Sequence, residues 1–89
     1  MTTAERGVEI LRILCHRRCE KMLKLAEELE VSVRTIQRDI DKMSLFLPLY
    51  TKSGRYGGGV YILGTVTFEQ LSTPNILFQI IEGNIEKNK

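Results

Sequence analysis

Residues 25–40 read Leu25-Ala26-Glu27-Glu28-Leu29-Glu30-Val31-Ser32-Val33-Arg34-Thr35-Ile36-Gln37-Arg38-Asp39-Ile40. Apolar residues recur at helical spacing on both sides of a two-residue break, the pattern of two helices joined by a tight turn. Before the break, Leu25, Ala26 and Leu29 form the buried stripe of a short helix predicted over about Leu23–Leu29, with Lys24, Glu27 and Glu28 outward. Glu30-Val31 is the turn. Ser32 is placed as an N-cap, its hydroxyl able to accept an amide hydrogen from the next turn. The following helix is predicted from Val33 to about Met43. At about 100° per residue, Val33, Ile36, Ile40 and Met43 fall in one sector of it. Arg34, Arg38 and Asp41 fall opposite, with Gln37 on one flank and Thr35 and Lys42 on the other.

Working outward, residues Thr3–His16 read as a first helix, with Val8, Leu11 and Cys15, joined by Ile10 and Leu14, on its apolar face. The polar stretch Arg17–Lys21 reads as a loop. Past Met43, Pro48 stops helix by pushing its predecessor towards extended geometry. Leu49-Tyr50-Thr51-Lys52 and Val60-Tyr61-Ile62-Leu63 are then two strands around the turn Ser53–Gly59, a β-hairpin. A lone hairpin is marginal, so a third strand is expected, and Lys21-Met22 is placed to supply it. In the tail, Thr73-Pro74 is a helix start, followed by Ile76, Leu77, Ile80 and Ile81; Gly83 is expected to fray or end that helix.

The chain has 89 residues and a net charge of +2. From Arg12 to Arg55 ten basic residues stand against six acids, a net of +4, between flanks of −1 each. That distribution suits a polyanion-binding face. No apolar run approaches the ~20 residues of a membrane span, and nothing at the N-terminus resembles a signal peptide, so a cytoplasmic setting is expected. Two cysteines and one histidine do not make the four ligands of a structural zinc, and Cys15 reads as a small, reduced core residue. The glycine run lies between strands without the Gly-Lys-Ser/Thr of a phosphate loop, and His16 has no evident nucleophile partner. Neither an enzyme nor a cofactor is expected.

Two short helices joined by a tight turn and followed by a hairpin is the order of a winged helix-turn-helix. The expected fold is therefore α+β, a three-helix core plus a β-hairpin wing over 1–64, with a C-terminal helical tail over 65–89. The chemistry of the exposed face agrees: arginine bonds guanine edges bidentately, glutamine does so with adenine, and hydroxyls bond phosphate. The positive end of the helix dipole at Ser32 adds to this.

Ser32, Thr35, Ile36, Arg38, Asp39 and Ile40 resemble the Ser-x-x-Thr-Ile-x-Arg-Asp-hydrophobic recognition helix of the DeoR-type and WYL-domain bacterial regulators. Leu47-Pro48-Leu49-Tyr50 and Gly57-Gly58-Gly59-Val60-Tyr61 resemble the same family's wing, and the likeness runs from about Ala4 to Leu63. It departs at Glu30, where the family has glycine, and at Leu45-Phe46, which replace a small Ala-Gly pair and are expected to pack into the core. The resemblance implies sequence-specific binding of double-stranded DNA by a repressor-like transcriptional regulator. Arg34, Gln37 and Arg38 would approach bases in the major groove, and Ser32 and Thr35 would anchor phosphate. Lys42 stands on the flank, and Lys52, Arg55 and Tyr56 at the wing would reach phosphate or the minor groove. Asp39, nearer the core side than Asp41, is expected to fix an arginine or an amide. The tail stripe Phe68, Leu71, Ile76, Leu77, Ile80 and Ile81 either covers the first helix or forms a homodimer interface, and a homodimer is expected. The alternatives are a winged helix devoted to protein contact and the DNA-binding end of a larger effector-sensing regulator.

Overall fold

The first helix of the computed structural model, α1 (Thr3–Arg17), opens on a capping box: Thr2 Oγ1 accepts from the Glu5 amide (3.1 Å), and the Glu5 carboxylate accepts from the Thr2 amide (2.7 Å). The structure describes residues 1–86, with 83–86 as backbone only, so the end of the predicted tail at 87–89 lies outside the described residues. At the far end of α1, Arg18 turns into positive φ (73°), and its amide donates to the Leu14 carbonyl (2.8 Å). That reversal sends Cys19–Lys21 back as strand β1.

Helix α2 (Met22–Leu29) and helix α3 (Val33–Met43) follow, then strand β2 (Leu49–Lys52), a 3-10 turn at Arg55–Gly57 and strand β3 (Gly59–Ile62). The sheet is antiparallel in the order β1-β3-β2, with Glu20 opposite Val60 and Tyr50 opposite Tyr61. The third strand thus exists, but lies at Cys19–Lys21, not Lys21-Met22, and Arg17–Lys21 is not a loop. Met22 is needed elsewhere: its side chain is buried in the core as the first residue of α2, while its amide donates to the Gly58 carbonyl (2.9 Å).

Ile10, Leu11 and Leu14 from α1, Leu25 from α2, Ile36 and Ile40 from α3, and Val60 from β3 meet in one core. Each such side chain contributes about 1.5–3 kcal/mol on leaving water. Val8 and Cys15 sit at its margin. Of the pair expected to enter the core after α3, only Phe46 packs against it; Leu45 is 85% exposed. The chain turns tightly there, with Phe46 and Leu47 amides both bonded to the Met43 carbonyl, and the buried place goes to Leu47.

Helix α4 (Phe68–Leu71) is set by a second capping box, Thr67 with Gln70 (3.2 and 2.9 Å), and Thr73 Oγ1 accepts from the Ile76 amide at the start of helix α5 (Pro74–Glu86). Contrary to the expectation, α5 does not stop at Gly83 but continues to Glu86. It lies on α1: a Cβ on Gly7 would stand 2.9 Å from Ile80 Cγ2, so the two helices meet where a side chain is missing. Ile80 is buried, and Phe68, Leu71, Ile76 and Leu77 pack against the core, whereas Phe78 and Ile81 stay exposed.

Candidate nucleic-acid interface

Helix α3 carries the candidate residues, and its ends and back fix their direction. Ser32 Oγ accepts from the Thr35 amide (3.1 Å) and lies 3.0 Å from Thr35 Oγ1, so both hydroxyls cluster at the helix N-terminus. A cap of this kind contributes about 1 kcal/mol. The preceding turn works because Glu30 adopts left-handed geometry (φ 57°, ψ 45°), with the Val31 amide returning to the Ala26 carbonyl (3.0 Å). The glycine expected there is thus replaced by a strained residue, at about 1 kcal/mol.

The buried side of α3 is locked. Ile36, Ile40 and Met43 are in the core, and Val33 is half-buried. Asp39, only 5% exposed, is held by the Arg6 guanidinium of α1 through Nε to Oδ2 and through Nη2 to Oδ1 (3.2 Å). The hydrogen bond to Asp39 pushes the Arg6 guanidinium above its ordinary value, against the opposing effect of desolvation. Asp39 therefore fixes an arginine, as its position on the wheel suggested. No sequence signal identified Arg6 as the partner.

On the outer side Arg34, Arg38 and Asp41 are exposed, while Thr35, Gln37 and Lys42 are half-buried. Gln37 loses exposure to the wing: a Cβ at Gly57 (φ 92°) would stand 2.5 Å from Val33 Cγ1 and 3.3 Å from Gln37 Nε2. The bare glycine lets the wing turn press on the N-terminal half of α3. Next to it Tyr56 also takes positive φ (58°) and is 74% exposed, with Arg55 exposed beside it. Between wing and helix lies an open cleft of about 290 Å³ bordered by Met22, Gln37, Asp41, Thr51, Ser53 and Gly57. Lys52 also borders it, but its ammonium is directed over the Tyr61 ring, 5.8 Å from the centroid, on the outer face of the sheet. The structure thus gathers Ser32, Arg34, Thr35, Gln37, Arg38 and Lys42 on α3, sets Arg55 and Tyr56 beside them, and leaves the Lys52 head group apart.

Charge pairing narrows the basic surface. Arg17 binds Glu28 (2.6 and 2.8 Å) and Glu20 (3.0 Å), and that guanidinium holds the Glu28 carboxyl below its ordinary value. Arg12 pairs with Glu9, and Arg6 with Asp39. Arg18 Nη1 instead binds the Val66 carbonyl (2.7 Å). Among the described residues, Arg34, Arg38 and Arg55 form no ion pair. All three side chains are exposed.

A family model described as an HTH domain matches residues 9–60. The chain belongs to the helix-turn-helix (HTH) domain family. Membership supports DNA binding and a role in transcription regulation for this HTH domain. The matched span runs from within α1 into β3 and takes in α2, the Glu30 turn, α3 and the wing. No curated protein and no solved structure matches the chain. Among the described residues of the HTH domain, no helix is long and apolar enough to cross a membrane, and no three His, Cys, Asp or Glu side chains are grouped as metal ligands.

Proposed function

We propose that this HTH domain binds double-stranded DNA sequence-specifically, with α3 in the major groove and the wing on the backbone or minor groove. The observation that carries the reading is the pair Arg34 and Arg38, exposed and without ion pairs among the described residues, on a helix whose opposite face is locked into the core. They stand one turn apart, about 6 Å along the axis, and each can bond a guanine edge bidentately. Gln37 lies between them, its amide partly covered by the wing, and offers a bond to adenine. Ser32 and Thr35, at the positive end of the helix, anchor a phosphate, and Lys42, Arg55 and Tyr56 add contacts to the flanking backbone, while Lys52, its ammonium over Tyr61, stands outside this site. A winged helix devoted to protein contact has no need of unpaired arginines there.

The likeness of α3 and the wing to the DeoR-type and WYL-domain regulators makes a repressor-like bacterial regulator, non-enzymatic and cytoplasmic, the role favoured for the chain. Residues 1–64 form the DNA-binding domain in this reading, and the tail from 65 is the dimerisation element. Phe78 and Ile81 support the latter, since they leave an apolar strip of α5 in water after Ile80 has covered α1. Selection of bound fragments from a random duplex pool tests both parts. An enriched motif is expected, repeated as two half-sites about one turn of DNA apart. An enriched single half-site would reject the dimer, and a pool left without any motif would reject sequence reading.

A further inference from the structure

The outer face of the sheet has a composition that neither the core nor the α3 face explains. Residues paired directly across strands share a face. The register therefore sets Cys19, Tyr61 and Tyr50 in one row and Lys21, Gly59 and Lys52 in the next. Val60 and Ile62, pointing the other way, fill the core, so this face is the solvent side.

The Tyr50 and Tyr61 rings stack with centroids 5.8 Å apart and planes inclined by 28°. Tyr50 keeps 47% of its surface exposed. A cross-strand aromatic pair supports a hairpin by about 0.2–1 kcal/mol, which accounts for the pairing but not for what surrounds it. Gly59 has no side chain between the two lysines, leaving a bare stretch of backbone beside the Tyr61 ring. Over that gap Lys52 reaches Tyr61, its ammonium 5.8 Å from the centroid. Lys21 stands across Gly59 on the other side, about 10 Å from Lys52 at the spacing of alternate strands. Neither row contains an acid. Glu20, the nearest in sequence, belongs to the opposite face and is bound to Arg17 (3.0 Å) and to the Lys21 amide (2.9 Å).

We propose that this face is a second nucleic-acid site, for an unpaired strand: a base stacks on the exposed Tyr50 ring, and the adjoining phosphates lie along Lys52 and Lys21. The combination of aromatic ring faces with a basic track is what single strands require, because every base offers a π-face and every linkage an anion. Charge selects a polyanion, and the rings select one with planar groups. The face is also continuous with the wing, since Lys52 ends β2 where the wing turn begins. A strand opened next to a bound duplex therefore passes from one surface to the other. The proposal goes beyond duplex reading and rests on different residues, so each can fail alone.

The test uses the full chain with a labelled twelve-nucleotide oligo-dT and, separately, a mixed-sequence duplex, both by fluorescence anisotropy at low salt. The chain has three tyrosines and no tryptophan, so the part of the tyrosine quenching by unlabelled oligo-dT that is lost in Tyr50→Leu reports stacking on Tyr50. Binding with quenching is expected. Tyr50→Ala should weaken oligo-dT binding by about tenfold or more and leave duplex affinity unchanged. Tyr50→Phe should retain it, and Arg38→Ala should weaken the duplex alone. Tyr50→Leu, which keeps apolar bulk without a ring, separates lost stacking from a disturbed hairpin and should behave as Tyr50→Ala does. Absence of oligo-dT binding, binding indifferent to Tyr50, loss through Arg38→Ala, or equal competition by poly-glutamate would each overturn the site.

Discussion

Asp39 follows Arg38 directly, yet the two have opposite duties, because successive residues on a helix point about 100° apart. Arg38 meets solvent, and Asp39 is closed in against Arg6. Removing one partner of a buried pair strands the other charge, so Asp39→Ala should destabilise the domain by about 3 kcal/mol in urea unfolding. A loss below ~1 kcal/mol would mean that water, not Arg6, satisfies the carboxylate in solution. At this scale the sequence was informative about direction and silent about partners. The wheel places Asp39 on the core side, but nothing local marks Arg6, thirty-three residues away, as the counter-charge. Glu30 shows the same limit: a turn was legible, while the left-handed geometry of a glutamate had to be seen (φ 57°).

Elements with several turns or a clear alternation were legible because their apolar period is set by burial. Helix α3 and strand β2 fall on the predicted residues, and the Ser32 cap is real. Short elements were legible only in part. A third strand was expected from the marginality of a lone hairpin, but at Lys21-Met22, because the three residues of β1, Cys19–Lys21, take their bounds from the edge of β3 and have no local signature. Helix α4 did have one, the Thr67-x-x-Gln70 capping box, but its four residues are too few to show an apolar period. The wing depends on Gly57 for its seat on α3. Gly57→Ala combines positive φ with a collision at Val33, and should cost about 1–3 kcal/mol. Hydrogen exchange should localise the loosening to β2, β3 and the wing turn while α1 stays protected. Uniform loosening, or none, would show that the wing is not seated through this glycine.

Among the described residues, the acids pair with the arginines of α1 and leave those of α3 and the wing without ion pairs. Sequence charge counting found the basic middle of the chain but could not tell Arg17, closed by two glutamates, from Arg38, closed by none. The tail shows a similar division: Ile80 serves this chain's own core, while Phe78 and Ile81 are the large apolar side chains of α5 left exposed among the described residues, and the proposed dimer would use them. The claim on which the rest depends is that the α3 face binds duplex DNA through Arg34 and Arg38. Titration of a labelled duplex carrying the selected site, at about 50 and 200 mM salt, tests it most directly. Affinity is expected to fall by roughly tenfold or more between the two as counterions are released. Arg38→Ala should remove a further ~1–3 kcal/mol on that site. No binding at the lower salt, or binding indifferent to both salt and Arg38, would contradict the claim.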